Sequence, residues 1–239
     1  MGGAQLPPTS AFADDDGSAP AHLAAALGVA DPGERVEAVV RALATERVLV
    51  PVVAGLDQMQ QGKDPDEIVG EKVAHAAMVT VALPDGRAAL PVFSSMAALT
   101  GWRADARPVP THGRRAALAA AGEGDGVLVL DPGGASVLVP RPAARALALG
   151  QPWLPAVRNP AVARAVERAV AGQPQVLGVA LTSGEATEIL IEMTLAAGLD
   201  QAQVGGIVRA VGERLSRDQV VAESVDSLTF RLRPRSSPR

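Results

Sequence analysis

The stretch RAALPVFSSMAALTGWRADARPVP, residues 87–110, decides how this chain is read. Leu90 to Phe93 is a short apolar run of strand character, and two serines follow it where a helix start needs a side-chain oxygen. Ser94 is expected to cap a helix over Ser95–Gly101 that buries Met96 and Leu99. From Trp102 to Pro110 the helical period is lost and the chain becomes extended. Just upstream, Ala74–Leu83 and Arg87–Phe93 flank Pro84-Asp85-Gly86, whose turn chemistry joins them as a hairpin.

Working outward, Asp31 as cap, Pro32 in the first turn and Glu34 three residues after the cap predict a helix to about Thr45, with Val36, Val39, Val40 and Leu43 inward. Arg47–Ala54 reads as a strand that tolerates Pro51 only on an edge or at a bulge. The polar run 55–70 lacks the register of a calcium loop and is expected to be a solvated insertion. Beyond Pro110, an Ala-rich helix over Arg114–Ala121 precedes a hairpin of Val127–Asp131 and Ala135–Pro140, turning at Pro132-Gly133-Gly134. A helix over Pro142–Leu149 then stops at Gly150.

Gln151-Pro152-Trp153-Leu154-Pro155 is a stiff connector, and the boundary between two units is expected there. The remainder reads as α-β-β-α-β: a helix capped by Asn159, strands Val176–Thr182 and Thr187–Leu195 turning at Ser183-Gly184-Glu185, a helix burying Val204 to Leu215, and a strand Ser227–Arg233. Glu188 and Glu192 fall on the solvated face of their strand, within reach of Arg231 and Arg233 if the strands are neighbours. The fold class expected is α+β, two small units, each a mixed or antiparallel sheet with helices on one face. Residues 1–30 are expected to be a flexible leader with room for one short helix near Ala21–Leu27, 31–150 the first unit, 156–234 the second and 235–239 a tail.

Composition narrows the function classes. Of 239 residues, 48% are hydrophobic and only 2% aromatic, with no Tyr, so stacking platforms for bases are scarce. The net charge of −4 and the pI of about 5.4 give no basic face for nucleic acid. Cysteine is absent, which removes disulfides, thiolate nucleophiles and thiolate metal sites. Asp14-Asp15-Asp16 interrupts the N-terminal region, so no signal peptide is read, and no apolar run is long enough to span a bilayer. A cytoplasmic protein is expected. Arg outnumbers Lys 20 to 2, a bias of the kind a GC-rich genome produces.

The motif LPVFSS, then Ala97 and Leu99 in the helix, Trp102, and Arg107-Pro108-Val109-Pro110 resemble the SseB family's N-terminal domain. The turn at Leu130-Asp131-Pro132-Gly133 fits as well, and the likeness extends over about 35–150. The resemblance implies a bacterial, cytoplasmic protein of that fold. It brings no established reaction and no assigned catalytic residue, the family's name deriving from a serine-sensitivity phenotype.

The residues offer few chemical constellations. Ser94 and Ser95 at a helix start, with Arg103 and Arg107, are a candidate ligand-binding set for a small carboxylate or phosphate, against the plainer role of Ser94 as a cap. Ser95, His112 and Asp131 supply the types for a triad but no evidence of its geometry. His22, His75 and His112 are isolated, so neither metal nor cofactor is expected. The glycine-rich run 122–126 precedes a strand and is a loop. The expected function is a non-catalytic binding or regulatory protein with a protein partner or a second copy of itself. The alternative is an enzyme or sensor for a small anion at Ser94/Ser95, and a weaker third is an RNA-associated factor using Arg231, Arg233, Arg235 and Arg239.

Overall fold

The computed structural model describes residues 12–54, 76–184 and 187–235. In chain order the elements are α1 (Ala21–Leu27), α2 (Pro32–Leu43), β1 (Arg47–Ala54), β2 (Ala76–Met78), β3 (Val81–Ala82), β4 (Ala88–Val92), α3 (Met96–Trp102), β5 (Arg107–His112), α4 (Gly113–Glu123), β6 (Leu128–Leu130), β7 (Val137–Val139), α5 (Arg141–Leu149), α6 (Pro160–Val170), β8 (Val176–Ser183), β9 (Ile189–Leu195), α7 (Gln201–Arg217), α8 (Gln219–Ser224) and β10 (Leu228–Pro234). Three small sheets result, ordered β2-β1-β5, β3-β4-β6-β7 and β10-β9-β8, each mixed or antiparallel. The fold is α+β. No helix of the described residues is long and apolar enough to cross a membrane.

Local chemistry sets many of these boundaries. Asp31 accepts the Glu34 N–H at 2.8 Å to start α2, and Asn159 accepts the Ala161 N–H at 2.9 Å to start α6. Gly150 ends α5 in the left-handed conformation, φ 66°. The hairpin of β3 and β4 turns through Gly86 at φ 87°, where the Asp85 carboxylate accepts the Arg87 N–H. Its first arm is only Val81–Ala82, because Ala76–Met78 pairs instead with β1 in another sheet.

Pro51 departs from expectation. It sits in the middle strand of its sheet, directly opposite Pro108. Leu49 exchanges both backbone bonds with Phe93, so Leu49 and, two residues on, Pro51 point away from β5. Pro108 and Pro110 face these two positions, and none of the three missing amides is needed by the β1–β5 ladder.

One core joins α1, α2, α4 and α5 to the sheet strands through Leu23, Val39, Leu43, Leu90, Leu128 and Leu147. A smaller cluster holds Leu49, Phe93 and Leu99, with the Phe93 and Trp102 rings 5.2 Å apart. A separate core lies under the C-terminal sheet, where Ile189, Ile191 and Met193 meet Val162 and Val166 of α6 and Val211 and Leu215 of α7. Short α8, which the periodicity did not predict, contributes Val221 there.

Residues 12–30 are packed rather than free, and α1 falls where the sequence allowed a short helix. Leu23 is wholly buried, and Arg47, itself 8% exposed, holds the segment down. Its guanidinium donates to both Asp15 carboxylate oxygens and to the Ser18 and Ser94 carbonyls, the last two at 2.6 Å. Arginine's rigid fork suits a site that must satisfy several acceptors at once.

Candidate ligand-binding cleft

The serines at the start of α3 have separate roles. Ser95, rather than Ser94, is the cap: its hydroxyl accepts the Ala98 N–H at 3.1 Å. Ser94 is buried, its N–H and hydroxyl donating to the two oxygens of Asp131 at 2.8 and 2.7 Å. The Met96 N–H, which an anion would need, donates to the Gly17 carbonyl at 2.8 Å. Arg103 is exposed and paired with Asp105 at 2.8 Å, and Arg107 is exposed on β5. The triad types are dispersed too, since Asp131 serves Ser94 and the His112 ring packs 5.0 Å from Phe12.

A different place concentrates polar groups that lack partners. The β3–β4 turn, the start of α2, the end of β7, the 151–157 connector, Ser183 and Gly184 at the end of β8, Thr187 and Glu188 before β9 and the entry to β10 enclose a cleft of about 590 Å³. Arg87 reaches from the hairpin to Asp226 at 2.8 Å and to Asp85 at 2.7 Å. The Asp226 side chain is 1% exposed. Hydrogen bonding to Asp226, then to Asp85, raises the Arg87 pKa and keeps the guanidinium charged.

Glu188 lies beside them. Its Oε2 accepts the Asp226 N–H at 2.6 Å, and its own N–H donates to the Ser227 hydroxyl at 2.9 Å. Oε1 is buried and closes no hydrogen bond of good geometry, although the Ala156 amide lies near enough to the carboxylate to favour its charge. Burial pushes this carboxyl above the usual carboxylate range, the nearby Asp226 charge pushes the same way, and the two amides oppose them. The Trp153 indole also lines the cleft, with Nε1 buried and unpartnered. Both residues line the cleft, but these two atoms are turned away from it into the protein, each costing roughly 1–3 kcal/mol if left unsatisfied. Among the described residues no group of His, Asp or Glu is placed to hold a metal ion.

Residues 21–146, more than half of the chain, match the family described as the SseB protein N-terminal domain. The chain belongs to the SseB family. No curated protein and no solved structure matches it. In this SseB-family chain the matched segment supplies Asp85 and Arg87, whereas Trp153, Glu188 and Asp226 lie beyond it. The cleft is therefore built jointly by the family domain and the residues C-terminal to it.

Sequence reading missed this constellation for a physical reason. Parallel pairing of β10 with β9 sets Arg231 opposite Glu192, and Arg231 and Arg233 both bind Glu192, at 3.0 and 2.9 Å. The ladder begins at Ile189 and Leu228, so Glu188 falls just outside it and turns toward Asp226. Only Trp153, an aromatic in a proline-flanked connector, signalled anything locally.

Proposed function

We propose that this SseB-family chain is a non-catalytic binding or regulatory protein whose ligand occupies the cleft bordered by Arg87, Trp153, Glu188 and Asp226. The observation that supports this most is the cavity itself, of ligand size and lined by charged, aromatic and apolar side chains drawn from both parts of the chain. Of the three hydroxyls lining the cleft, Thr187 donates to the Ile189 carbonyl, Ser227 accepts the Glu188 amide and Ser183 is exposed at the end of β8. None of the three is hydrogen-bonded to a side chain that could serve as its base. The anion reading at Ser94, Ser95, Arg103 and Arg107 draws less support, because Ser94 donates to Asp131, the Met96 N–H to the Gly17 carbonyl and Arg103 to Asp105, which leaves Arg107 exposed by itself on β5.

A protein partner or second copy remains part of this reading. Edge strands β8 and β10 carry exposed Leu177 and Leu232, which support association through the C-terminal sheet. Cleft binding is tested by extracting small molecules from the purified protein for mass spectrometry, beside a cleft-filling Leu138→Trp variant. Leu138 is 40% exposed, so the larger ring adds bulk without entering the core. A molecule carried by the parent protein and lost from the variant is expected. An identical set of molecules in both would refute the reading.

A further inference from the structure

We infer that two copies of this chain associate by pairing β8 with β8, antiparallel about a two-fold axis at Ala180, so that their three-stranded C-terminal sheets become continuous. This deepens the association part of the proposed function and rests on it. Among the described residues the sheets end in β2, β5, β3, β7, β10 and β8. All but β8 are short or blocked. β2, β3 and β7 are two or three residues long. β5 carries Pro108 and Pro110, whose missing amides fall on its free side. β10 ends in Pro234, and its Arg231 and Arg233 share the single carboxylate of Glu192, so a second β10 alongside would meet surplus positive charge. β8 runs for eight residues, VLGVALTS, without a charge or a proline.

The backbone fixes what a partner strand meets. The Gly184 N–H bonds the Glu188 carbonyl, and the register continues through Thr182–Leu190 and Ala180–Glu192, so these even-numbered residues turn their amides to β9. The N–H and C=O groups of Val179 and Leu181 therefore point outward, where no strand follows. With the axis at Ala180, Val179 lies opposite the copy's Leu181 and Gly178 opposite its Thr182. This register uses the regular part of the strand and leaves out the bulge between Val176 and Gly178 and the end at Ser183, whose hydroxyl lies close to Gly33 of α2. Side chains match in the same register. Val179 and Leu181, half-buried on the helix side, cover their counterparts, while Gly178, Ala180 and Thr182 put nothing charged or bulky on the other face. Leu177, 48% exposed, falls at the margin of the contact. Beneath β8, α6 turns Arg168 to Asp218 at the start of α8, and its other flank extends the apolar surface with half-buried Ala163 and Val170.

The chain has no cysteine, so a single introduced thiol reports the pairing. Sedimentation and light scattering of the full chain are expected to show a concentration-dependent dimer. In Ala180→Cys the two Cα atoms should lie about 4.5 Å apart across the axis, a span that a disulfide bridges. Mild oxidation should therefore convert this variant to covalent dimer, while Thr229→Cys, exposed on β10, stays monomeric on a denaturing gel. Ala180→Lys should leave the monomer's circular dichroism unchanged, because position 180 is exposed and faces Glu192 in its own sheet. Across the axis it faces a second lysine, and dimerisation should weaken about fivefold or more. Val179→Pro removes an amide that only the copy would use and should abolish the dimer. A chain that stays monomeric at about 0.1 mM would overturn the inference. A dimer indifferent to Ala180→Lys and Val179→Pro would overturn β8 pairing and leave association itself standing. A different protein that co-purifies with a monomeric chain, and is lost in Ala180→Lys, would overturn the copy as the occupant of this edge. The cleft reading is decided separately, by the extraction experiment.

Discussion

Replacing Arg47 by methionine should release residues 12–18 and destabilise the chain by a large fraction of its folding free energy. The guanidinium lies 9% exposed and satisfies four acceptor sites: two oxygens of Asp15, the Ser18 carbonyl and the Ser94 carbonyl. Methionine fills similar volume but donates nothing, leaving a carboxylate that is 14% exposed without its cation. Breaking a buried pair from one side costs about 3–5 kcal/mol. Asp15 can regain water if its segment peels away, which places the expected loss at the lower end, about 3 kcal/mol. For a chain of this size that is a fall of roughly 6–12 °C in melting temperature. Urea unfolding followed by circular dichroism and by the fluorescence of Trp102 and Trp153 measures it, and limited proteolysis should cut the released segment. Asp15→Asn combined with Arg47→Met should cost clearly less than the sum of the single changes, since the uncompensated charge is gone. The pH dependence has a definite sign. The hydrogen bond from Arg47, opposed by partial burial and aided by the Gly17 amide, holds the Asp15 carboxyl below its usual range. Stability from this source is therefore present above about pH 4 and is lost as the pH falls through the lowered value. A loss under about 1 kcal/mol, or a gap between parent and variant that does not narrow in acid, would refute the reasoning.

The remaining expectations concern the core, one helix start and the cleft. Leu23→Ala empties a wholly buried position of α1 and should cost about 2–5 kcal/mol in urea unfolding; a change under about 0.5 kcal/mol would mean that α1 is not part of the core. Gly113→Ala should destabilise by about 1–3 kcal/mol, because a Cβ there would run into the Leu43 carbonyl where α4 meets the end of α2; Gly122→Ala, which meets nothing, should be neutral or slightly stabilising, and equal effects at the two sites would contradict the close approach. For Glu188, whose folded pKa is raised, the charge is disfavoured by folding once the pH exceeds the ordinary carboxylate value. Glu188→Gln should therefore melt higher relative to the parent at about pH 7.5 than at about pH 4, and a difference that is constant across this range would count against a buried, uncompensated carboxylate.

What was legible in the sequence was mostly local. Asp31, Asn159, Gly150 and the turns at Gly86 and Gly133 act within a few residues of themselves, so their types suffice to place them. The serine pair was off by one residue because either hydroxyl could cap; what assigns Ser95 is that Asp131, 37 positions downstream of Ser94, takes the other hydroxyl. The packed segment after Phe12 was illegible for a similar reason: three consecutive aspartates look like solvent, until an arginine from β1 is placed over one of them. Pro51 obeyed a finer rule than the one applied to it, since what matters is which way the missing amide points.

Two of the three carboxylates lining the cleft carry the functional argument further than any motif did. Asp226 and Glu188 are joined by a backbone hydrogen bond and share one environment, yet only Asp226 receives a guanidinium, and it comes from a distant hairpin. Folding explains Asp226, because removing either member of a buried pair strands the other. It does not explain Glu188, where glutamine would keep the acceptor for the Asp226 amide and remove a charge that burial opposes. On the proposed function, a charge that the fold does not need, at the wall of a cavity between the family domain and the residues beyond it, would be kept for a ligand there, and Glu188→Gln would then change what the extracted protein carries without lowering its melting temperature.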